Sequence, residues 1–184
     1  MATLPATGAT TADALAAWDA LDPVDVAFML GAWSGRSWRS GHPLDGVLEA
    51  YGWHGKRFDD ADTVHPLVFD RASGAPMRLS PGRLAPLLPA LLGFAPLRTG
   101  LAARLARPLL AVFATQAPGG RLRMMRYRGR DSATLVYDRL ALLDVFRRVD
   151  DDTVLGLTDL RGMPRPYFFV LRREVPARGG AAGV

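Results

Sequence analysis

The chain has 184 residues, 49% of them apolar, and a formal charge of +5, which is enough apolar content to bury one core without metal or disulfide support. It has no cysteine, so disulfide frameworks, thiolate metal sites, iron–sulfur clusters and cysteine nucleophiles are excluded. The positive charge would ordinarily point to nucleic acid, but 22 of the 23 basic residues are Arg against the single Lys56, and Ile and Asn are absent, a pattern that a GC-rich genome produces without any anionic partner.

In chain order, Met1 to Thr11 lacks the basic region and apolar stretch of a secretory signal. Thr10 or Thr11 can cap a helix through Leu21, with Leu15, Trp18 and Leu21 on one face. Asp22-Pro23 has the form of a cap and first turn for a second helix reaching Met29. From Gly31 small and large residues alternate, predicting a strand from Ala32 to Ser40. His42-Pro43-Leu44-Asp45-Gly46 predicts a turn and a short helix to Ala50. Strands follow at Trp53–Phe58, Val64–Asp70 and Ala75–Leu79, the first two joined by Asp59-Asp60-Ala61-Asp62. Between Arg83 and Phe113 the leucines take helical spacing, Leu84, Leu87, Leu88, Leu91 and Leu92, then Leu101, Leu105, Leu109 and Val112. The spacing predicts a helical insert covering the barrel described next. Leu84 to Leu97 is too short to span a bilayer and carries Pro86, Pro89 and Pro96. After Gly119-Gly120, strands at 121–128, 132–137, 140–149, 153–159 and 166–173 form a meander of hairpins.

These elements predict a mainly β protein, an antiparallel barrel or strongly curved sheet with N-terminal helices and a helical insert. Residues 1–174 are expected to form a single β-barrel domain, comprising 31–80, the insert 83–113 and the meander 121–174, and 175–184 a disordered tail.

The segments Gly31-Ala32-Trp33-Ser34-Gly35, Gly41 to Glu49 and Gly52 to Phe58 resemble a bacterial family named for its GXWXG motif. Tyr127-Arg128-Gly129, Val136-Tyr137-Asp138, Phe146 to Asp150 and Leu157-Thr158-Asp159 resemble the domain of unknown function that follows it, so the likeness spans about residues 26–174. It implies a small lipocalin-like protein and carries no reaction. A more distant likeness is to nitrobindin-like haem barrels, but Ser37 replaces the third glycine of that pattern and no histidine follows His65.

Three groups of residues could carry chemistry. His42 with Asp45 could form a general base and its orienting carboxylate, or could simply cap the short helix. In the strand from Arg121 to Arg128 neither face is wholly apolar, so Arg126 or Arg128 could point inward, toward Asp138, Asp144 or an anionic ligand. Trp33, Trp38, Trp53, Tyr137, Phe146 and Phe168 could line a cavity. His54 and His65 fall about four residues apart along a hairpin, too far for a shared metal, and read as ordinary strand residues.

The function expected is therefore the binding of a small hydrophobic or amphipathic molecule inside the barrel. No cofactor, metal, nucleic-acid or membrane partner is expected, the location expected is cytoplasmic, and a homodimer is left open. The enzyme alternative is a cofactor-independent isomerase, dehydratase or cyclase using His42, Asp45 and Arg126. The third alternative is a packed structural or interaction protein.

Overall fold

The computed structural model describes residues 10–71 and 73–175. All but the first residue of the expected tail lie outside that range. Helix α1 (Thr11–Ala20) starts at Thr10, whose hydroxyl accepts from the Asp13 amide while the Asp13 carboxylate accepts from the Thr10 amide, a capping box. The Asp22-Pro23 pair does not open a helix. It forms a short strand β1 (Asp22–Pro23) against Arg147 and Arg148, and Asp25 caps α2 (Val26–Met29) through the Phe28 amide at 2.7 Å.

Strands β2 (Gly31–Ser37), β3 (Trp53–Phe58), β4 (Val64–Asp70), β6 (Gly120–Tyr127), β7 (Arg130–Tyr137), β8 (Leu142–Arg148), β9 (Thr153–Leu160) and β10 (Tyr167–Arg173) pair antiparallel in the cyclic order β2-β3-β4-β6-β7-β8-β9-β10, and β10 returns to β2. The result is a closed, eight-stranded antiparallel barrel, the first of the two expected architectures, barrel or strongly curved sheet. The β4–β6 seam rests on one ladder pair, Val64 with Gly120. Beyond it β4 pairs instead with the short β5 (Pro76–Arg78). Helix α3 (Val47–Ala50) follows Gly46, which sits at φ 77°.

Two apolar clusters flank the wall. The inner one includes Trp33, Trp53, Phe58, Phe69, Leu135, Tyr137, Phe146 and Phe169. The outer one packs Ala14 and Trp18 of α1 on Trp38, Val145, Leu155, Leu157, Phe168 and Val170. Along β8 the division is plain, Asp144 and Phe146 facing in, Val145 toward α1. Arg147 is buried on the α1 side, its guanidinium 4.2 Å from the centre of the Trp18 ring.

The insert is broken where its prolines demand it, into α4 (Pro81–Leu84), α5 (Leu88–Gly93), α6 (Gly100–Ala106) and intervening 3₁₀ turns, the last over Arg107–Phe113. Leu84, Leu91, Leu92, Leu110 and Phe113 pack on the inner cluster, as covering requires. Leu101, Leu105, Leu109 and Val112 do not. They are exposed, because periodicity fixes that a face is apolar and leaves open which way it points.

Candidate functional site

The sequence-predicted catalytic group does not assemble. The Asp45 carboxylate accepts from the backbone amides of Ser40 and His42 at 2.9 and 3.0 Å, and His42 Nδ1 accepts from the Leu44 amide at 3.1 Å. Both side chains thus hold the turn before α3, with no bond between imidazole and carboxylate. Burial, outweighing the nearby Asp45 charge, keeps the His42 pKa below its ordinary value. Arg126 is exposed near the tip of the β6–β7 hairpin, bonded to the Gly129 carbonyl at 3.1 Å. There the inward face of the strand has run past the barrel and into solvent. Arg128 forms a bidentate pair with Asp19, and Asp138 pairs with Arg121.

The predicted aromatic lining divides. Trp33, Trp53, Tyr137 and Phe146 lie in the inner cluster, whereas Trp38 and Phe168 face the other way, under α1. The inner side chains fill the barrel. Trp33, Phe146 and Leu135 are wholly inaccessible, so no water-sized void adjoins them.

In the middle of this apolar filling stands the single lysine. Lys56 Nζ lies 2.8 Å from Asp144 Oδ2 and donates to Tyr137 Oη at 3.1 Å and the Pro66 carbonyl at 3.3 Å. Tyr137 donates to the same carboxylate at 2.9 Å, and Thr158 donates to Asp144 Oδ1 at 2.6 Å. Every donor of the ammonium has an acceptor and both carboxylate oxygens are engaged. Lys56 and Asp144 are only 4% and 1% exposed, which makes this satisfaction obligatory. Burial and then the Asp144 charge push the Tyr137 pKa well up, so the phenol remains a donor. Alternation hides Lys56, because irregular β3–β4 register lets both Trp53 and Lys56 reach the interior.

A cleft of about 510 Å³ lies over β3, β4 and β5. Pro76, Ala32 and Ala114 supply apolar surface over the buried Val68 and Met77, and Arg57, Arg71, Arg78, Asp70, Glu174, Thr115 and Gln116 supply polar groups. Arg57 pairs with Asp59 at 2.6 Å, whereas Arg71 and Arg78 have no ion-pair partner among the described residues. His54 sits between two carboxylates, with Nδ1 3.1 Å from Asp70 and Nε2 2.5 Å from Glu174. Sequence spacing gives no sign of this triad, since Glu174 arrives from the far end of the chain. Among the described residues no group of three histidine or carboxylate side chains is arranged to hold a metal ion.

Burial alone would lower the His54 pKa. The hydrogen bond and charge of Glu174, followed by those of Asp70, outweigh it, and the net shift is upward. The His54 ring thus ties β3 and β4 to the residue after β10, each of its nitrogens bonded to a carboxylate. Its contribution to stability is complete below the unfolded value of about 6.5 and is lost as pH rises through the higher folded value. Comparing urea midpoints of the parent and His54→Gln across this range should give a difference that shrinks toward alkaline pH, below about 1 kcal/mol because the groups are a third exposed. A pH-independent difference would mean that the clasp does not depend on a charged imidazole.

The sequence matches the family model described as GXWXG protein over residues 16–74, and that of a domain of unknown function (DUF4334) over residues 118–173. A crystal structure of a protein from Thermomonospora curvata is similar, with TM-score 0.66 and 32% identity over 89% of this chain and 87% of that one. The chain belongs to the GXWXG family. No curated protein matches it. The GXWXG segment contributes β2 to β4 and the following domain β6 to β10, so both matched segments supply strands to one closed sheet. The motif itself has a steric account. Trp33 fills the barrel and donates from its indole to the Met29 carbonyl at 2.8 Å, and Gly35 leaves room for the Trp53 ring, whose atoms lie 2.4 Å from where a Cβ would stand.

Proposed function

We propose that this GXWXG-family protein binds a small amphipathic molecule carrying an anionic group, and that the site is the cleft on the barrel wall, with the packed barrel serving as its scaffold. The observation that carries the reading is one cleft combining apolar surface from Pro76, Ala32 and Ala114 with two arginines, Arg71 and Arg78, that have no ion-pair partner among the described residues, whereas its carboxylates, Asp70 and Glu174, are both taken up by His54. A volume of about 510 Å³ falls in the range of small-molecule sites. The arginines would take a carboxylate or similar group through charge-assisted bonds, and the apolar surface would take its body. This differs from a ligand held in the barrel interior, which the inner aromatic side chains already occupy.

Decanoate is a suitable probe, titrated calorimetrically against the parent and an Arg71→Ala/Arg78→Ala variant of unchanged melting temperature. Loss of one or two charge-assisted hydrogen bonds should weaken binding roughly tenfold or more. Equal affinity in both proteins, or no binding to the parent, would overturn the cleft assignment. The second result would favour a purely structural role for the barrel.

A further inference from the structure

We infer that the helical insert is a docking surface for an anionic lipid membrane, on which the protein rests without crossing it. Leu101, Leu105, Leu109 and Val112 recur at spacings of four, four and three along α6 and the 3₁₀ turn that continues it, and they are 66–70% exposed. The spacing of four puts Leu101 and Leu105 on one side of α6, and the spacing of three eclipses Leu109 and Val112 in the 3₁₀ turn, so each half presents an exposed apolar pair. Leu87 and Phe94 of the same insert are also at least half exposed, whereas elsewhere among the described residues only Met124 and Val175 are large, apolar and comparably open. An apolar surface concentrated in one element calls for an occupant.

Charge selects which occupant. Residues 81–113 contain Arg83, Arg98, Arg104 and Arg107 and no Asp or Glu. Arg107 is spent inside the fold, donating twice to the Asp70 carbonyl at 2.8 and 3.1 Å, and Tyr51 donates to the Leu97 carbonyl at 2.8 Å, so the insert is fastened to the barrel. Arg83, Arg98 and Arg104 have no ion-pair partner among the described residues. A second copy joined through the same face would bring arginines together with no acid from the insert to meet them. A bilayer with anionic headgroups meets both demands, taking the leucines to the acyl boundary and the arginines to the phosphates. No helix among the described residues is long and apolar enough to cross a membrane, and the attachment proposed is through the exposed face of the insert. The expectation of no membrane partner concerned anchoring and spanning segments, Met1 to Thr11 and Leu84 to Leu97, and surface attachment through exposed leucines is a different mode.

The test is cosedimentation with vesicles of phosphatidylcholine alone and of equal parts phosphatidylcholine and phosphatidylglycerol, at low and high salt. The parent should sediment with the anionic vesicles and release as salt rises. Leu101→Gln/Leu105→Gln/Leu109→Gln, with its melting temperature checked, should partition roughly tenfold less or weaker, and Arg98→Gln/Arg104→Gln should lose the preference for anionic vesicles. Failure of the parent to sediment, or equal sedimentation of the leucine variant, would overturn the proposal. A parent that ignores vesicles but is dimeric by analytical ultracentrifugation, and becomes monomeric in the leucine variant, would reassign the face to self-association.

Discussion

Replacing Asp144 by Ala should destabilise the protein by about 3–5 kcal/mol, because it leaves the Lys56 ammonium unpaired in an apolar interior. The ammonium is surrounded by the rings of Trp53, Tyr137 and Phe169 at 5.0–5.7 Å, and its other oxygen partners are a phenol and one carbonyl. Ring faces attract a cation but do not replace the carboxylate. Tyr137 and Thr158 would lose their acceptor in the same substitution. For a chain of this length the loss corresponds to a melting temperature lower by roughly 6–20 °C. Lys56→Met should cost clearly less, since Asp144 keeps two hydroxyl donors and the methionine is close to lysine in shape. Combining Lys56→Met with Asp144→Ala should recover part of the single Asp144→Ala loss, because the uncompensated charge is gone. Urea midpoints of the three variants read this order directly. A double-variant cost equal to the sum of the two single costs would show that the pair is relaxed or hydrated.

This network marks where sequence reasoning stops. The strands β3 and β4 were legible to the residue, because Trp53 to Phe58 and Val64 to Asp70 are bounded by Gly52, by the acidic turn and by Arg71. The barrel was legible from the number and spacing of such segments. Strand alternation, however, says which residues share a face only while the register is regular. The β3–β4 irregularity breaks that rule at Lys56, and Trp38 and Phe168 were misread because each belongs to the outer surface that α1 covers. A solitary lysine in a chain that otherwise uses arginine was the one available signal for the buried pair. The cleft had none, since Arg71, Arg78 and Glu174 meet only after β5 folds onto β4 and β10 closes on β2.

Gly55→Ala should be as damaging as the loss of Asp144, for a reason confined to the backbone. Gly55 has φ 154°, and a Cβ there would stand 1.9 Å from the Trp33 carbonyl oxygen and 2.9 Å from the Gly35 amide nitrogen. Those atoms belong to the paired strand β2, with Ser34 opposite Gly55, and cannot swing aside as a side chain could. The two strands would have to separate within a closed barrel, where displacement is resisted by β4 on one side and β10 on the other. A cost of about 3–5 kcal/mol or failure to fold is the expected result. Gly35→Ala meets the Trp53 ring instead, which can yield at the expense of core packing, so its effect should be smaller. Gly41 is the control. It has φ 76° with nothing within 4 Å of a built Cβ, so Gly41→Ala should cost only the left-handed backbone penalty of about 1–2 kcal/mol. Urea unfolding of the three alanine variants should therefore rank Gly55 above Gly35 in cost, and Gly55 above the positive-φ control, from which it differs by its contact with the neighbouring strand and by a φ of 154° rather than 76°. If Gly55→Ala folds and costs no more than Gly41→Ala, β2 and β3 can separate without loss, and the tight approach beneath the GXWXG strand is not what holds this side of the barrel.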